Sequence, residues 1–441
     1  MTASHYAAHV ASVRAQYDQL LDDADATAAI VPAGQLRFAY QDDRDYVFAA
    51  NPNFKHWVPL THHPKCVVIY RPGNTPVLGY FQEADYWHLP AGDPDGDWTA
   101  AFDVRICRND DELTALVAEF SDGALLIGEQ RDADALRVDR VADEMFFKAL
   151  HETRTRKSDY ELDCLRAAQR LAVRGHQAAA RAFAAGASEY AIHMQYLTAM
   201  DQRESELPYN SIVALNEHAA VLHYQYLDRH APDESRAFLI DAGAQVASYA
   251  ADITRTYSNG NSLFTALLDA MDTSQQAICG DVRAGVDYRS LHLSAHRRLA
   301  EVLIELKLAT PGVSAEALVE ERITWAFFPH GLGHFLGLQV HDVGGLTSAS
   351  SYDLIAKPEG HESLRLTRKL EENQVLTIEP GCYFIPLLLD PIRTDAKRKH
   401  LVNWDAVDAL IPYGGVRIED NVRILADGCE NLTRDAFATL D

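Results

Sequence analysis

Paired cysteines, long apolar runs and an excess of basic charge are all missing from this chain, and each absence narrows its function. Six cysteines (Cys66, Cys107, Cys164, Cys279, Cys382 and Cys429) are scattered without any C-x-x-C spacing. That pattern fits reduced thiols in a cytoplasm rather than a disulfide framework. No stretch approaches the roughly 18 apolar residues of a membrane span. The opening residues, MTASHYAAHVASVRAQYDQ, lack the apolar core and cleavage site of a secretory leader, so a cytoplasmic location is expected. The net charge is −24, which argues against a nucleic-acid or anionic-membrane partner, since both require a basic surface. No internal repeat and no low-complexity segment interrupts the chain.

What is present is a globular composition, 47% hydrophobic over 441 residues, enough for two domains. Residues 4–25 carry Val10, Val13, Tyr17, Leu20 and Leu21 near helical spacing. Short apolar runs follow between Pro and Gly (AAIVPAG, KCVVIYRPGNTP, PVLGYF, ALLIGEQ), with a helical stretch at Asp110–Phe120. The alternation predicts a small α/β domain over residues 1–157, closed by the charged stretch HETRTRK. Ser158 and Glu161 then form a capping-box pattern, opening an Ala-rich helix that stops near Gly186. A second helix from Ser188, a strand VALNEHAAVLHY, and helices over 263–282, 288–308 and 316–325 fill most of the second domain, residues 158–441.

The chemistry is concentrated in that second domain. In FLIDAGAQVASYAADITRTY (238–257), Asp241 and Asp252 each sit in an apolar segment with strand character, and Gly243 permits a turn between them. An isolated buried carboxylate is costly, so two in one hairpin call for a common cation. Three later segments repeat the chemistry: HGLGH with His330, His334 and, beyond it, His341; TIEPG with Glu379; and GVRIED with Arg417, Glu419 and Asp420. The His330–His334 spacing matches a helical zinc pair, but no Glu follows His330 and the glycines disfavour a helix, so a loop presenting His334 is expected. Only one of the adjacent Glu419 and Asp420 can face a site from a strand. The candidate ligands are Asp241, Asp252, His334, Glu379 and Glu419. Bland readings exist beside this one: turn-capping aspartates, packed histidines, and glutamates paired with Arg417. Four carboxylates and one imidazole suit Mn2+, with Co2+ or Zn2+ as alternatives. Such a set points to two bridged divalent ions, about 3.5–4 Å apart in two-metal hydrolases.

In order, LIDAGA, YAADITRT, HGLGH with VHD, TIEPG and RIED resemble the pita-bread metallopeptidases. The likeness is greatest to bacterial Xaa-Pro dipeptidases (prolidases) and the related organophosphorus acid anhydrolases. VALNEHAAVLHY and NPNFKHWVP extend it over nearly the whole chain. The resemblance implies an α+β fold: a pita-bread catalytic domain with a smaller α/β N-terminal domain that limits substrate length and makes dimer contacts. It implies hydrolysis of trans Xaa-Pro dipeptides, releasing proline. It makes His334 the imidazole ligand, selects Glu419 over Asp420, gives Glu379 the proton-shuttle role, and turns His223 and His341 toward substrate and water. His330 and Thr254 fall behind the ligands. Arg365 matches the arginine that holds the proline carboxylate, a task suited to its bidentate geometry. Arg417, Tyr288 and Asp43 match pocket positions, Asp43 being contributed by the other subunit of a homodimer. The separation of Glu379 and Glu419 by about 40 residues favours a dipeptidase over a proline-specific aminopeptidase acting on longer peptides. Hydrolysis of organophosphorus esters is expected as a side activity at most. A metal-free binding module on the same fold is the reading from another class.

Overall fold

The computed structural model describes residues 2–440 and divides into two compact units. The first comprises Met1–Cys164 with Ala247–Tyr249, and the second Leu165–Val246 with Ala250–Asp441.

In the first unit the opening helix, Ala3–Asp23, is capped by Thr2, whose side chain accepts from the His5 amide. It buries Tyr6, Val10, Val13, Tyr17, Leu20 and Leu21, the stripe that the apolar spacing predicts. Five strands form one mixed sheet: β1 (Ala29–Pro32), β2 (Val67–Tyr70), β3 (Val77–Phe81), β4 (Asp103–Cys107) and β5 (Leu125–Leu126), in the order β4-β3-β2-β1-β5. The β1–β2 and β2–β3 pairs are antiparallel; β3–β4 and β1–β5 are parallel. β1 and β2 are buried along their whole length, as their unbroken apolar runs require. The charged stretch after residue 150 is packed rather than solvated. Arg154 and Lys157 are 2% and 5% exposed, Arg154 donating to Asn53 Oδ1 (3.0 Å) and Lys157 to the Arg154 carbonyl (2.6 Å). Ser158 and Glu161 form the reciprocal cap: the Ser158 amide donates to Glu161 Oε2 at 2.8 Å and the Glu161 amide to Ser158 Oγ at 3.4 Å. The helix they open, Asp159–Ala184, contains the boundary between the two units.

In the second unit, Ser188 caps the helix Glu189–Met200. Three antiparallel strands follow: β6 (Ile212–Leu215), β7 (Ala237–Asp241) and β8 (Thr254–Ser258), in the order β8-β7-β6. Later come β9 (Val375–Ile378), β10 (Gly381–Tyr383), β11 (Gly415–Arg417), β12 (Asp420–Leu425) and β13 (Gly428–Asn431). β12 lies between β9 and β13, and β10 pairs with β11, all antiparallel. The helices Ser262–Asp281 and Tyr288–Glu305, capped by Asn261 and Asp287, supply Leu267, Met271, Leu291, Leu299 and Leu303 to an apolar core shared with β9 to β12. Helices and antiparallel strands are thus packed together in an α+β arrangement.

Two local expectations fail. VALNEHAAVLHY is a strand only as far as Leu215, because Asn216 turns to a φ of 57° and starts a short 3-10 helix, Asn216–Ala220. His223 therefore lies beyond the strand. The stretch 316–325 is not one helix but parts of two, Ala315–Glu320 and Ile323–Phe327, separated where Arg322 takes a φ of 56°.

Candidate metal centre

Four carboxylates stand at strand ends. Asp241 closes β7, Asp252 precedes β8 by two residues, Glu379 follows β9, and Glu419 immediately precedes β12. The registers bring these ends together: Thr254 faces Asp241, Ile378 faces Asp420, and Gly381 faces Arg417. A single bridge, Thr254 to Glu419, links β8 to the start of β12 through the Glu419 amide and the Thr254 carbonyl at 3.0 Å. The turn between the two aspartates closes tightly. A Cβ on Gly243 would stand 2.0 Å from the Ala251 carbonyl oxygen, which leaves room only for glycine.

His334 comes from an irregular glycine-bearing loop, not a helix. The His334 amide donates to Thr377 Oγ1 at 3.1 Å, and a Cβ on Gly333 would fall 2.1 Å from the Thr377 carbonyl oxygen. The loop thus lies directly on β9. His334 Nδ1 is 2.9 Å from the Phe335 carbonyl, which can only accept, so Nδ1 carries a proton. Nε2 then points inward, 3.3 Å from Asp252 Oδ2 and 3.5 Å from Glu379 Oε1. Ligand atoms of Asp252, His334 and Glu419 all lie within 4.8 Å of one another, and all three residues are buried.

A layer of polar side chains fixes these groups. Tyr209 Oη contacts both Asp241 Oδ1 (2.8 Å) and Asp252 Oδ1 (2.5 Å). Arg417 donates to Asp241 Oδ2 (2.7 Å), Tyr383 Oη (2.7 Å) and Thr254 Oγ1 (3.1 Å). Thr254 in turn donates to Glu419 Oε2 at 2.7 Å. Asn421 accepts from the Asp252 amide (2.9 Å) and donates to the Asp252 carbonyl, while Gln169 donates to the Asn421 side chain. His330 Nε2 lies 2.8 Å from Tyr383 Oη, and His330 Nδ1 lies 2.9 Å from the Gly331 carbonyl and 3.6 Å from Glu379 Oε2. Asp420 points the other way, buried between Arg255 (2.7 Å) and Arg434 (2.6 Å).

The electrostatics follow from this crowding. Burial raises Glu379 to about 7 and, joined by the other carboxylates, pushes Glu419 well above the usual range. Burial also raises Asp241, against the pull of Arg417. At Asp252 burial is outweighed by the bonds from His334 and Tyr209, so its pKa is lowered. At His334 burial opposes protonation, but Asp252 and Glu379 prevail and raise it. Burial, Arg417 and His223 hold His330 down near 3; partial burial and His334 hold His341 near 4.

One atom tests whether this cluster suits a cation. Glu419 Oε1 is buried and has no hydrogen-bond partner. A buried, unpartnered carboxylate oxygen beside other carboxylates is strongly unfavourable unless a proton or a cation neutralises it. The donor set of hard oxygens and one inward imidazole nitrogen fits a divalent metal.

The other sequence candidates are placed differently. His341 is surface-exposed in part, its ring covered on one side and 4.3 Å from that of His334, centroid to centroid. His223 and Arg365 are also exposed; their fields reach His330 and His341. Arg417, expected to touch substrate, is 4% exposed and committed to Asp241, Tyr383 and Thr254, so its donors face inward. Tyr288, expected in the pocket, is fully buried with its hydroxyl on the Thr377 carbonyl at 3.0 Å, behind the wall that carries His334. Asp43 lies in the first unit, on an exposed segment closed by the Phe38–Asp45 bridge. Sequence reasoning missed Tyr209, Tyr383 and Asn421. Tyr209 follows a proline in a loop and has no local signal; the other two sit beside ligand motifs and were within reach.

With this geometry in hand, relatives are informative. Residues 163–426 match metallopeptidase family M24, and residues 4–151 match the Xaa-Pro dipeptidase N-terminal domain. A Xaa-Pro dipeptidase of Xanthomonas oryzae pv. oryzae is 45% identical over 436 residues, covering 99% of this chain and 98% of the relative. One from Shewanella sediminis is 42% identical over 433 residues, covering 98% of each. Among solved structures, aminopeptidase P from E. coli superposes with a TM-score of 0.73 at 22% identity, over 99% of this chain and 96% of that one. The Pseudomonas aeruginosa aminopeptidase PepP gives 0.71 at 24%, with the same coverage. At those identities the structures speak for the fold, which is the pita-bread arrangement. The strand-end carboxylates, the inward imidazole and the length of the match agree: the chain belongs to metallopeptidase family M24.

Proposed function

We propose that this chain hydrolyses Xaa-Pro dipeptides with a trans peptide bond, using two divalent metal ions, Mn2+ in the first instance, held by Asp241, Asp252, His334, Glu379 and Glu419. The observation that carries the proposal is the convergence of Asp252, His334 and Glu419 around an unpartnered carboxylate oxygen. Bound there, such ions supply a water that loses its proton near neutral pH and a Lewis acid for the scissile carbonyl.

The chain's own residues do the rest. Glu379 takes up a proton at Oε2 and returns it to the leaving nitrogen. That nitrogen is the tertiary amide nitrogen of proline, and it must be protonated to depart because an amide anion is a poor leaving group. His341, neutral at pH 7 because its pKa is lowered, donates an N–H to the carbonyl oxygen as negative charge develops, with His223 beside it. Arg365 is exposed, and no hydrogen bond or ion pair holds it among the described residues; it pairs with the substrate's terminal carboxylate. Arg417 and Thr254 orient Asp241 and Glu419 rather than touching substrate.

A second reading is a proline-specific aminopeptidase acting on longer peptides; the two structural neighbours share the fold and do not favour it. We further propose a cytoplasmic homodimer in which Asp43 reaches the site of the other subunit. Hydrolysis of organophosphorus esters is a side activity. Among the described residues no helix is long and apolar enough to cross a membrane.

The deciding experiment compares Ala-Pro with Ala-Pro-Ala on Mn2+-loaded protein. A kcat/KM for the dipeptide at least tenfold higher is expected. Preference for the tripeptide would give the aminopeptidase reading, and inactivity on both after metal loading would end either.

A further inference from the structure

A second histidine-rich cluster lies in the same unit, apart from the five candidate ligands. His292 and His296 are four residues apart on the helix Tyr288–Glu305, so they share one face. His361 comes from the loop before Arg365. One nitrogen of each lies within 4.8 Å of the others, and all three side chains are buried. The rings are mutually packed, with centroids 4.5–5.0 Å apart. Trp325 stacks on His296 at 4.3 Å and contacts His361 at 4.4 Å, while Phe328 closes the side of His296 at 4.9 Å.

Hydrogen-bond accounting leaves this cluster incomplete. His292 Nε2 and His361 Nδ1 are 2.6 Å apart, so one proton is shared between two nitrogens. His292 Nδ1 is buried with no partner at all, although the residue is only 1% exposed. His296 Nδ1 lies 3.1 Å from Thr324 Oγ1; donation there leaves its other nitrogen with a lone pair. Each neutral imidazole carries one lone pair, and three such rings buried against one another are a ligand set.

We propose that His292, His296 and His361 form a separate binding site for one transition-metal ion of the zinc, nickel or copper class. Neutral imidazoles of borderline softness select these ions, whereas the carboxylate-rich centre selects harder ones. The histidines need not lose a proton to bind, since burial holds His292 near 3 and His296 near 2. A tetrahedral ion with Zn–N bonds of roughly 2.0–2.1 Å sets its ligand nitrogens about 3.3 Å apart, so His361 must withdraw slightly from His292. Water takes the fourth position. The scaffold for this is in place. The Trp325 indole donates to the Gly360 carbonyl at 2.9 Å, pinning the residue before His361, and the break at Arg322 is what delivers Thr324 and Trp325 to the cluster. Occupancy would fasten the loop that leads to Arg365.

The test strips wild type, His361→Phe and Asp252→Asn with chelator, incubates each with Zn2+, removes the excess and counts bound ions. His361→Phe is expected to hold one ion fewer than wild type while keeping its Mn2+-supported dipeptide hydrolysis within about twofold. Asp252→Asn is expected to retain one ion, whose X-ray absorption shows a shell of three imidazole nitrogens. Equal counts in wild type and His361→Phe overturn the proposal. So does a zinc-free Asp252→Asn, or one whose zinc shows an oxygen-dominated shell. If His361→Phe fails to fold, the absorption spectrum of Asp252→Asn decides alone.

Discussion

Thr254 holds Glu419 by one oxygen only: its hydroxyl donates to Oε2 at 2.7 Å, and Oε1 is left buried without a partner. Arg417 in turn occupies the Thr254 lone pair, which aims the threonine proton at the carboxylate. The hydroxyl therefore decides which oxygen of Glu419 remains for a cation. Thr254→Val keeps the shape and removes the donor. Metal affinity is expected to fall about 10–100-fold, with kcat at saturating metal changed much less. Activity titrated against free Mn2+ measures this; an unchanged midpoint would refute the role.

In the metal-free protein the Glu379 carboxyl should favour the folded state less as pH rises, against the opposite trend from the buried histidines held near 2 to 4. Glu379 has a folded pKa of about 7 against an ordinary 4.5, so the folded chain binds the extra proton between those values. Its contribution is present below pH 4.5 and is lost as pH climbs toward 7, a loss of about 3 kcal/mol. His334, also raised, has the same sign, being favourable when protonated. Metal-loaded protein should behave oppositely, because ligation requires ionised carboxylates. Melting curves of chelator-stripped and Mn2+-loaded protein at pH 5, 6 and 7 provide the comparison. Subtracting the same curves for stripped Glu379→Gln isolates this carboxyl; a wild-type-minus-variant difference that does not fall over that range would contradict this account.

Arg365→Ala should act on substrate binding rather than on the metals. Loss of a charge-assisted pair to carboxylate is worth about 1.5–3 kcal/mol, or roughly 10–100-fold in KM for Xaa-Pro. The same substitution should leave hydrolysis of an Xaa-Pro amide, which lacks that carboxylate, nearly unchanged. Equal losses on both substrates would remove Arg365 from the carboxylate site.

Gly333→Ala should disable the protein through packing. The added carbon would meet the Thr377 carbonyl oxygen at 2.1 Å and the Tyr288 hydroxyl at 2.5 Å, both held in place. The loop would have to lift off β9 and take His334 with it. A melting temperature lowered by several degrees together with lost metal is expected; normal melting with normal metal content would show that the contact yields cheaply.

Much of the site was legible because its residues announce themselves locally. Asp241 and Asp252 stand where apolar strand residues should continue, and the Glu419–Asp420 pair obeys the alternation of a strand, one side chain meeting Asp252 and His334 and the other meeting Arg255 and Arg434. The capping box at Ser158 and the helix start at Ser188 are short-range features set by a few neighbouring residues. What escaped depends on distant partners. Nothing around Tyr209 signals that its hydroxyl will span two aspartates 32 and 43 residues away. In sequence Arg417 reads as a partner of the glutamates or as a pocket residue, and only the pairing of β10 with β11 turns it onto Asp241. The breaks at Asn216 and Arg322 are left-handed residues other than glycine, which tertiary packing imposes against local preference.

The bridge between Thr254 and Glu419 has a temporal consequence. Synthesis delivers both aspartates, the histidine and Glu379 before Glu419 exists. A nascent or truncated chain ending anywhere short of β12 carries most of the acidic cluster but lacks the side chain that Thr254 positions. The full candidate ligand set is thereby reserved for chains translated through that last segment, and incomplete products are expected to hold divalent ions more weakly.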